Sequence, residues 1–280
     1  MHFKTLFTAC FSLFISSISF AQSLKVMTYN IRLDIDSDGE NSWTNRKDYF
    51  CGQVQFYEPD IFGIQEARPI QVIDINNRLS QYNNIGIGRE GIGKGESSNI
   101  YYKKDRFTVK DEKTFWLSET PNEISKGWDA AYNRVCTYGL FKDKTTKTFF
   151  WVFNTHLDHM GEEARTKGIA LILSKIKEVN TKNYPVILMG DFNSEPETER
   201  IINLKKEMND SREISEQKPY GPSGSFNNFI HNESVTKLID YIFLSKNNVK
   251  VLKYAILSDS KDLKYPSDHL PIFAEIKIKK

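Results

Sequence analysis

Two periodicities take turns along the chain. Leu24–Asn30 alternates apolar and polar positions and ends in a polar cluster, which predicts a strand. Asn45–Tyr57 carries Phe50, Val54 and Tyr57 at helical spacing, and Pro59 ends the pattern. Ile61–Gln65 reads as a short buried strand, and Pro69–Leu79 is helical again. Ser98–Tyr102, Thr114–Leu117, Val135–Phe141 and Thr148–Asn154 are rich in β-branched and aromatic residues, so strands are expected there. Gly161–Val179 is the clearest amphipathic helix, with Ile169, Ile172, Ile176 and Val179 on one stripe. Pro185–Met189 reads as a buried strand. Pro196–Met208 reads as a helix with Ser194 near its cap and proline in its first turn. Leu238–Phe243, Val249–Leu257 and Ile272–Ile278 close the chain as strands. Helices interleaved with hairpin-spaced strands, without a repeat or low-complexity linker, predict layered α/β packing in one domain.

The first residues follow a different logic. A short basic start at Met1–Lys4 precedes an apolar stretch from Leu6 to Phe20, and Ser19-Phe20-Ala21 offers small residues at a cleavage site before Gln22. Residues 1–21 therefore read as a secretory signal peptide, and residues 22–280 as the mature catalytic domain. The competing reading, an anchor helix, is disfavoured because the run falls short of the ~20 residues needed to span a bilayer. The expected destination is secreted or periplasmic, with no transmembrane segment.

Composition narrows the class. With 39% hydrophobic and 26% charged residues, the chain is neither disordered nor fibrous. The formal charge of +2 does not call for long nucleic acid as a partner. Cys51 and Cys136, left after the signal is removed, read as two buried thiols rather than a disulfide framework. A monomer is expected.

Three motifs mislead. Gly86-Ile87-Gly88-Arg89-Glu90-Gly91 fits G-x-G-x-x-G, but more glycine and a strand follow it where a dinucleotide site needs a helix. Asp34-Ile35-Asp36-Ser37-Asp38-Gly39 imitates a calcium loop whose twelfth position needs Glu and here is Asn45, so an Asx-rich turn is expected. Ser267-Asp268-His269 has the letters of a triad, but three adjacent residues cannot form the relay Ser–His–Asp.

The informative signal lies at the ends of strands. Tyr29-Asn30, Gln65-Glu66, Asn154-Thr155-His156, Gly190-Asp191-Phe192-Asn193, Asp240-Tyr241 and Ser267-Asp268-His269 each follow, lie in or precede an apolar run. Each alone reads as a turn or packing residue. Together they have the residue types that metal-assisted phosphate hydrolysis needs. Hard carboxylates hold Mg²⁺ or Mn²⁺, a further carboxylate activates water, and imidazoles and amides stabilise charge on phosphate oxygens.

These six motifs, in this order, resemble the endonuclease/exonuclease/phosphatase superfamily, which includes pancreatic-type deoxyribonucleases, abasic-site endonucleases, sphingomyelinases, inositol polyphosphate 5-phosphatases and deadenylases. The resemblance spans Asn30 to His269. It implies a four-layer α/β/β/α sandwich, two packed mixed β-sheets flanked by helices, with the site at one edge. It implies Glu66 as the main metal ligand, with Asn30 and Asp268 beside it. Asp191 would orient and deprotonate the attacking water, and Asn193 would hold water or phosphate. His269 would contact the scissile phosphate, oriented by Asp240, and His156 would stabilise the transition state. The expected activity is a secreted phosphoesterase acting by in-line water attack, with 3′–5′ exonuclease-like character. Phospholipid head groups or phosphorylated glycans are the alternative substrates, and a non-catalytic binding module the alternative class.

Asn41-Ser42-Trp43, Phe115–Pro121, Gly127–Ala130 and Asn133-Arg134 look like a secreted bacterial branch nearest the deadenylase-like exonucleases. Arg134 is a candidate phosphate clamp. Trp43 and Trp128 are candidate platforms for a base or sugar, or else packing residues. His159 and Arg165 either line the pocket or, for His159, cap the following helix.

Overall fold

The computed structural model describes residues 23–279. The signal-peptide reading of residues 1–21 lies outside them. Chain order is β1 (Leu24–Asn30), a 3-10 turn (Asp36–Asn41), α1 (Trp43–Tyr57), β2 (Ile61–Gln65), α2 (Pro69–Arg78), β3 (Tyr82–Ile85), β4 (Ile100–Lys103), β5 (Phe107–Trp116), β6 (Val135–Asp143) and β7 (Phe149–His156). There follow α3 (Glu162–Val179), β8 (Val186–Asp191), α4 (Glu199–Glu207), β9 (Asn209–Asp210), β10 (Asp240–Leu244), β11 (Val249–Ile256) and β12 (Ile272–Ile278).

The strands form two six-stranded mixed sheets, ordered β11-β12-β1-β2-β4-β3 and β5-β6-β7-β8-β10-β9. Each has a parallel pair near its centre, β1 with β2 and β7 with β8, so four carboxyl ends open toward polar turns. Inner faces supply Val26, Ile61, Ile100, Val152, Ile187 and Ile272, all buried and in one hydrophobic core that also takes in residues of α3 and α4. A second core of Tyr29, Trp43, Phe50, Phe62 and Ile75 fills the space between the first sheet and α1 and α2. The result is the α/β/β/α sandwich. Parallel pairs need covered faces, which explains why β2 and β8 are buried throughout and apolar up to their polar ends at Gln65 and Asp191.

A polar bridge crosses between the sheets. Asn154 donates to the carbonyls of Ile64 and Asn99, both at 2.9 Å, and accepts from Gln65 Nε2 at 2.7 Å. Gly63 makes room, because a Cβ there would sit 2.6 Å from the Asn154 side chain.

Three elements differ from expectation. Pro196 belongs to a turn in which Thr198 N–H donates to Glu195 O, and α4 starts only at Glu199 with Thr198 as its cap. β5 runs back to Phe107 because it is an edge strand: its exposed residues from Asp111 to Lys113 hide the alternation. β3, a Tyr-Asn-Asn-Ile edge strand, carries two residues depleted in strands. Cys51 and Cys136 are buried free thiols, as expected.

Candidate active site

Register alone brings three site residues abreast. His156 on β7 pairs with Asp191 on β8, and Asp191 pairs with Asp240 on β10. The other sheet supplies Asn30 at the end of β1 and Glu66 just after β2. Glu66 takes a left-handed backbone, φ 65°, and Asn193 does so at φ 45°. Non-glycine residues rarely adopt that region, which turns each chain sharply away from its strand and leaves the side chain at the sheet rim. The segment before β12 adds Asp268 and His269. Ser267 fixes that segment to the first sheet by donating from Oγ to Asn30 O at 2.7 Å.

The side chains form one hydrogen-bonded set. Asn30 Nδ2 donates to Glu66 Oε1 at 3.0 Å and to Asp191 Oδ2 at 2.9 Å. The backbone N–H of Asn193 donates to Asp191 Oδ1 at 2.8 Å. Asn193 Nδ2 lies 3.1 Å from His156 Nε2 and donates to Leu157 O. His269 Nδ1 lies 2.8 Å from Asp240 Oδ2, which also accepts from Ser225 Oγ at 2.6 Å. His269 Nε2 stands 3.9 Å from Asp191 Oδ2.

Burial and neighbouring charge split the titrating groups. Burial pushes the Asp191 carboxyl up, Asp240 adds to this, and the group reaches about 7 against the opposing pull of His269 and Asn30. Burial opposes charge on His269, but Asp240, Asp191 and Asp268 together outweigh it and raise the imidazole to about 10. His156 goes the other way: burial, then the Arg134 charge, hold it well below its ordinary value and keep it neutral.

A cavity of about 560 Å³ opens over this set. Its floor carries Glu66, Asp191 and Asp268. Its walls carry Arg32, Arg89, Arg134, Tyr132, His159 and Lys237. Arg134 is buried: its Nε donates to Asp158 at 3.1 Å and its Nη2 lies 3.0 Å from His159 Nδ1. Asp158 is held low in spite of its burial by the N–H groups of Gly161, Ala131 and Met160 and by Arg134. His159 therefore lines the cavity. Arg165 instead turns inward to Asp158 O and Glu162.

Trp43 is corrected by the structure. It is 1% exposed, packs against Phe50 at 5.6 Å between ring centres, and donates from Nε1 to Asp74. A ring closed on all sides cannot stack on a substrate. Trp128 lies partly exposed under the Lys167 ammonium and does not border the cavity.

Two sets of groups could hold a cation. Ligand-type atoms of Asp191, Asp240 and His269 lie within 4.8 Å of one another. They are engaged with each other, however, and one is an imidazole carrying a proton. Glu66, Asp268 and Asn30 are the other set, all able to offer oxygen in type as a hard divalent ion requires, although Asn30 Oδ1 here accepts from Arg32 N–H while its Nδ2 faces Glu66 and Asp191. Asp268 is raised by burial, with the Glu66 charge adding to this and His269, Arg32 and Arg46 opposing it.

The sequence placed Asp158 in a strand-end motif and Arg89 in a glycine-rich turn without giving either a role, and it did not mark Arg46 at all. Arg46 is the most informative. Buried on α1, it donates to Ile31 O at 2.9 Å and Pro266 O at 2.7 Å, with Trp43 and Phe229 rings 5.6 and 5.3 Å from its guanidinium carbon. It ties the loop after Asn30 to the segment before Asp268. No pattern in the chain marks an arginine as buried.

Fold and site together define a metal-dependent hydrolase of phosphate esters. The endonuclease/exonuclease/phosphatase family model matches residues 27–269, and the chain belongs to that family. A family member of known structure from Bacteroides thetaiotaomicron is 37% identical, with a TM-score of 0.88, over 92% of this chain and 99% of that one. The mannosyl-6-phosphatase Bt3783 of Bacteroides thetaiotaomicron VPI-5482 is 38% identical, with a TM-score of 0.86, over 90% of this chain and 99% of that one. The exoribonuclease subunit Ccr4 of Kluyveromyces lactis is 22% identical over 85% of this chain and 38% of its own length. The chain spans 38% to 60% of the length of the curated relatives it matches. Among the described residues, no helix is long and apolar enough to cross a membrane.

Proposed function

We propose that this protein is an exported phosphatase of sugar phosphates, and that the phosphorylated glycan, not the nucleic acid, is its natural substrate class. The engagement of the cavity's rings carries this reading. The Tyr132 ring has the Arg89 guanidinium over it at 4.9 Å and the His159 imidazole nearly parallel at 5.9 Å. Phe226 has the Lys237 ammonium over it at 5.4 Å and the edge of His269 at 5.0 Å. Single-stranded nucleic acid is held by bases stacked on free aromatic faces. Here Tyr132, though 52% exposed, already carries a guanidinium and an imidazole against its ring, and what the walls otherwise offer is hydrogen-bonding edges, which suit a hydroxylated ring. The 38% identity to a mannosyl-6-phosphatase agrees with that chemistry.

Glu66, Asn30 and Asp268 would hold the divalent ion, Mg²⁺ or Mn²⁺. When bound, it neutralises charge on the phosphate oxygens. Asp191 accepts the proton of the attacking water, held in place by the amide of Asn30 and the N–H of Asn193. His269, cationic and anchored by Asp240, presents Nε2 to a phosphate oxygen. Neutral His156 fixes Asn193, and Arg134 supplies a further positive charge at the wall. Arg134 is rigid because Asp158 holds it.

The test is a panel of mannose 6-phosphate, short oligonucleotides and sphingomyelin with Mg²⁺ or Mn²⁺, and with EDTA as control. Phosphate release from the sugar should dominate and vanish with chelator. Faster cleavage of the oligonucleotides than of the sugar phosphate would overturn the proposal.

A further inference from the structure

The glycine-rich segment from Gly86 to Gly95, which the dinucleotide reading left without a role, builds a wall of the catalytic cavity. It closes as a tight hairpin: Gly91 N–H donates to Gly88 O at 2.9 Å, and Arg89 N–H to Glu96 O at 2.8 Å. Gly88 is needed there because a Cβ would overlap the carbonyl oxygen of Lys94. At Gly95, with φ +69°, a Cβ would overlap the Glu90 carboxylate. Trp116 Nε1 clamps the hairpin from β5 by donating to Arg89 O at 2.7 Å.

So constrained a turn presents two side chains to the cavity, Arg89 and Glu96. They pair in the fork-to-fork manner, Nη1 to Oε2 at 2.9 Å and Nη2 to Oε1 at 2.8 Å. Burial raises the Glu96 carboxyl, Arg89 opposes it, and the Glu66 charge is near enough to be felt. The pair thus sits beside the metal-binding side of the site, mostly enclosed but bordering open space.

A fixed carboxylate–guanidinium pair shows acceptors and donors in one plane. Glu96 has lone pairs left after Arg89 has used one on each oxygen. Two neighbouring hydroxyls of a sugar ring complement it, one donating to the carboxylate while the other accepts from the guanidinium. An alkyl, acyl or unsubstituted aromatic leaving group has no partner for either and leaves the pair desolvated at a cost.

We propose that Arg89 and Glu96 form the leaving-group subsite, reading adjacent hydroxyls of the sugar that carries the scissile phosphate. This rests on the sugar-phosphatase reading above. The pair touches the substrate's ring, not its phosphorus, so it sets which ester is hydrolysed rather than whether one is.

The experiment compares a hexose 6-phosphate with 4-nitrophenyl phosphate, whose leaving group has no neighbouring hydroxyls. It uses the full-length mature protein with Mg²⁺, and the variants Glu96→Gln and Arg89→Lys. Glu96→Gln is isosteric, and Arg89→Lys keeps the charge but loses the fork. Folding is checked by thermal melting, and either variant alone decides the question if the other fails to fold. The expected result is that the ratio of kcat/KM for the sugar phosphate to that for 4-nitrophenyl phosphate falls by about ten- to a hundredfold, as for loss of a hydrogen bond to a charged group, mostly through KM for the sugar. An unchanged ratio, with sugar phosphate still the better wild-type substrate, overturns the subsite and leaves the sugar reading standing. A wild-type protein that prefers oligonucleotides overturns both.

Discussion

Asn30 Nδ2 stands 2.9 Å from Asp191 Oδ2, so a residue that ends one sheet holds the carboxylate that ends the other, 161 positions away. The bond does two things at once. It orients Asp191 and it favours its charged form. Replacing Asn30 by Ala should therefore raise the Asp191 carboxyl further. The acid limb of the rate–pH profile should move to higher pH, and kcat should fall by roughly 10²- to 10³-fold. An acid limb that stays in place would refute the link.

Asp240→Asn tests the opposite side. Asp240 raises both His269 and Asp191. With the charge gone, both groups should titrate at lower pH. The acid limb should move down from near 7 and the alkaline limb down from near 10, the two in the same direction. A variant that narrows the profile from both sides, or shifts neither limb, contradicts the arrangement.

The same groups set the pH dependence of stability in EDTA. His269 binds its proton more tightly folded than unfolded, so its stabilising contribution is complete below about 6.5 and disappears as pH rises through about 10. Asp191 also holds its proton longer when folded, so stability declines between about pH 4 and 7 as the unfolded chain releases a proton the folded one keeps. Urea melts at successive pH values should show both declines. Asp191→Asn should flatten the lower one and move the upper to lower pH, because the Asp191 charge helps to raise His269.

Metal binding has its own readout. Mg²⁺ or Mn²⁺ at ~100 times its Kd should stabilise the wild-type protein by about 2.7 kcal/mol. Glu66→Gln or Asp268→Asn should weaken that response and cut turnover by orders of magnitude. An undiminished shift in the melting temperature of either variant places the ion elsewhere.

Arg46→Met removes the staple between Ile31 and Pro266. It leaves buried carbonyls without a donor, each costing about 1–3 kcal/mol. A loss of about 2–6 kcal/mol in urea melts is expected on this count, together with a higher metal concentration for half-maximal activity, because Asn30 and Asp268 lie next to the untied segments. Trp43→Phe, by contrast, should lower stability through the lost Asp74 bond and leave KM alone, since the ring is enclosed.

Much of the fold could be read from the chain because burial leaves a local trace. β1, β2 and β12 alternate or run apolar, and the expected strands match in full. α3 shows its stripe, with Ile169 and Ile172 buried. The misses share a cause. β3 and the first half of β5 lie at sheet edges, where one side faces water and the pattern fades. Pro196 could start a helix or a turn, and the Glu195–Thr198 hydrogen bond selects the turn. The Gly86–Gly95 hairpin was legible as a turn but not as a cavity wall, because a turn's location is a long-range property.

The order of residues by itself determined the chemistry available: acids, amides and imidazoles placed at strand ends, where side chains reach solvent. Only the tertiary structure decided which of them meet. Pairing between β7, β8 and β10 sets His156, Asp191 and Asp240 abreast, and packing of the sheets carries Asn30 to Asp191. It also decided that Trp43 supports a buried arginine instead of a substrate, and that Asp240 lies against the His269 imidazole. Proton affinity, ring accessibility and metal fit depend on distances of a few ångströms between segments far apart in the chain. Local pattern records which side of an element is buried, not what lies across from it.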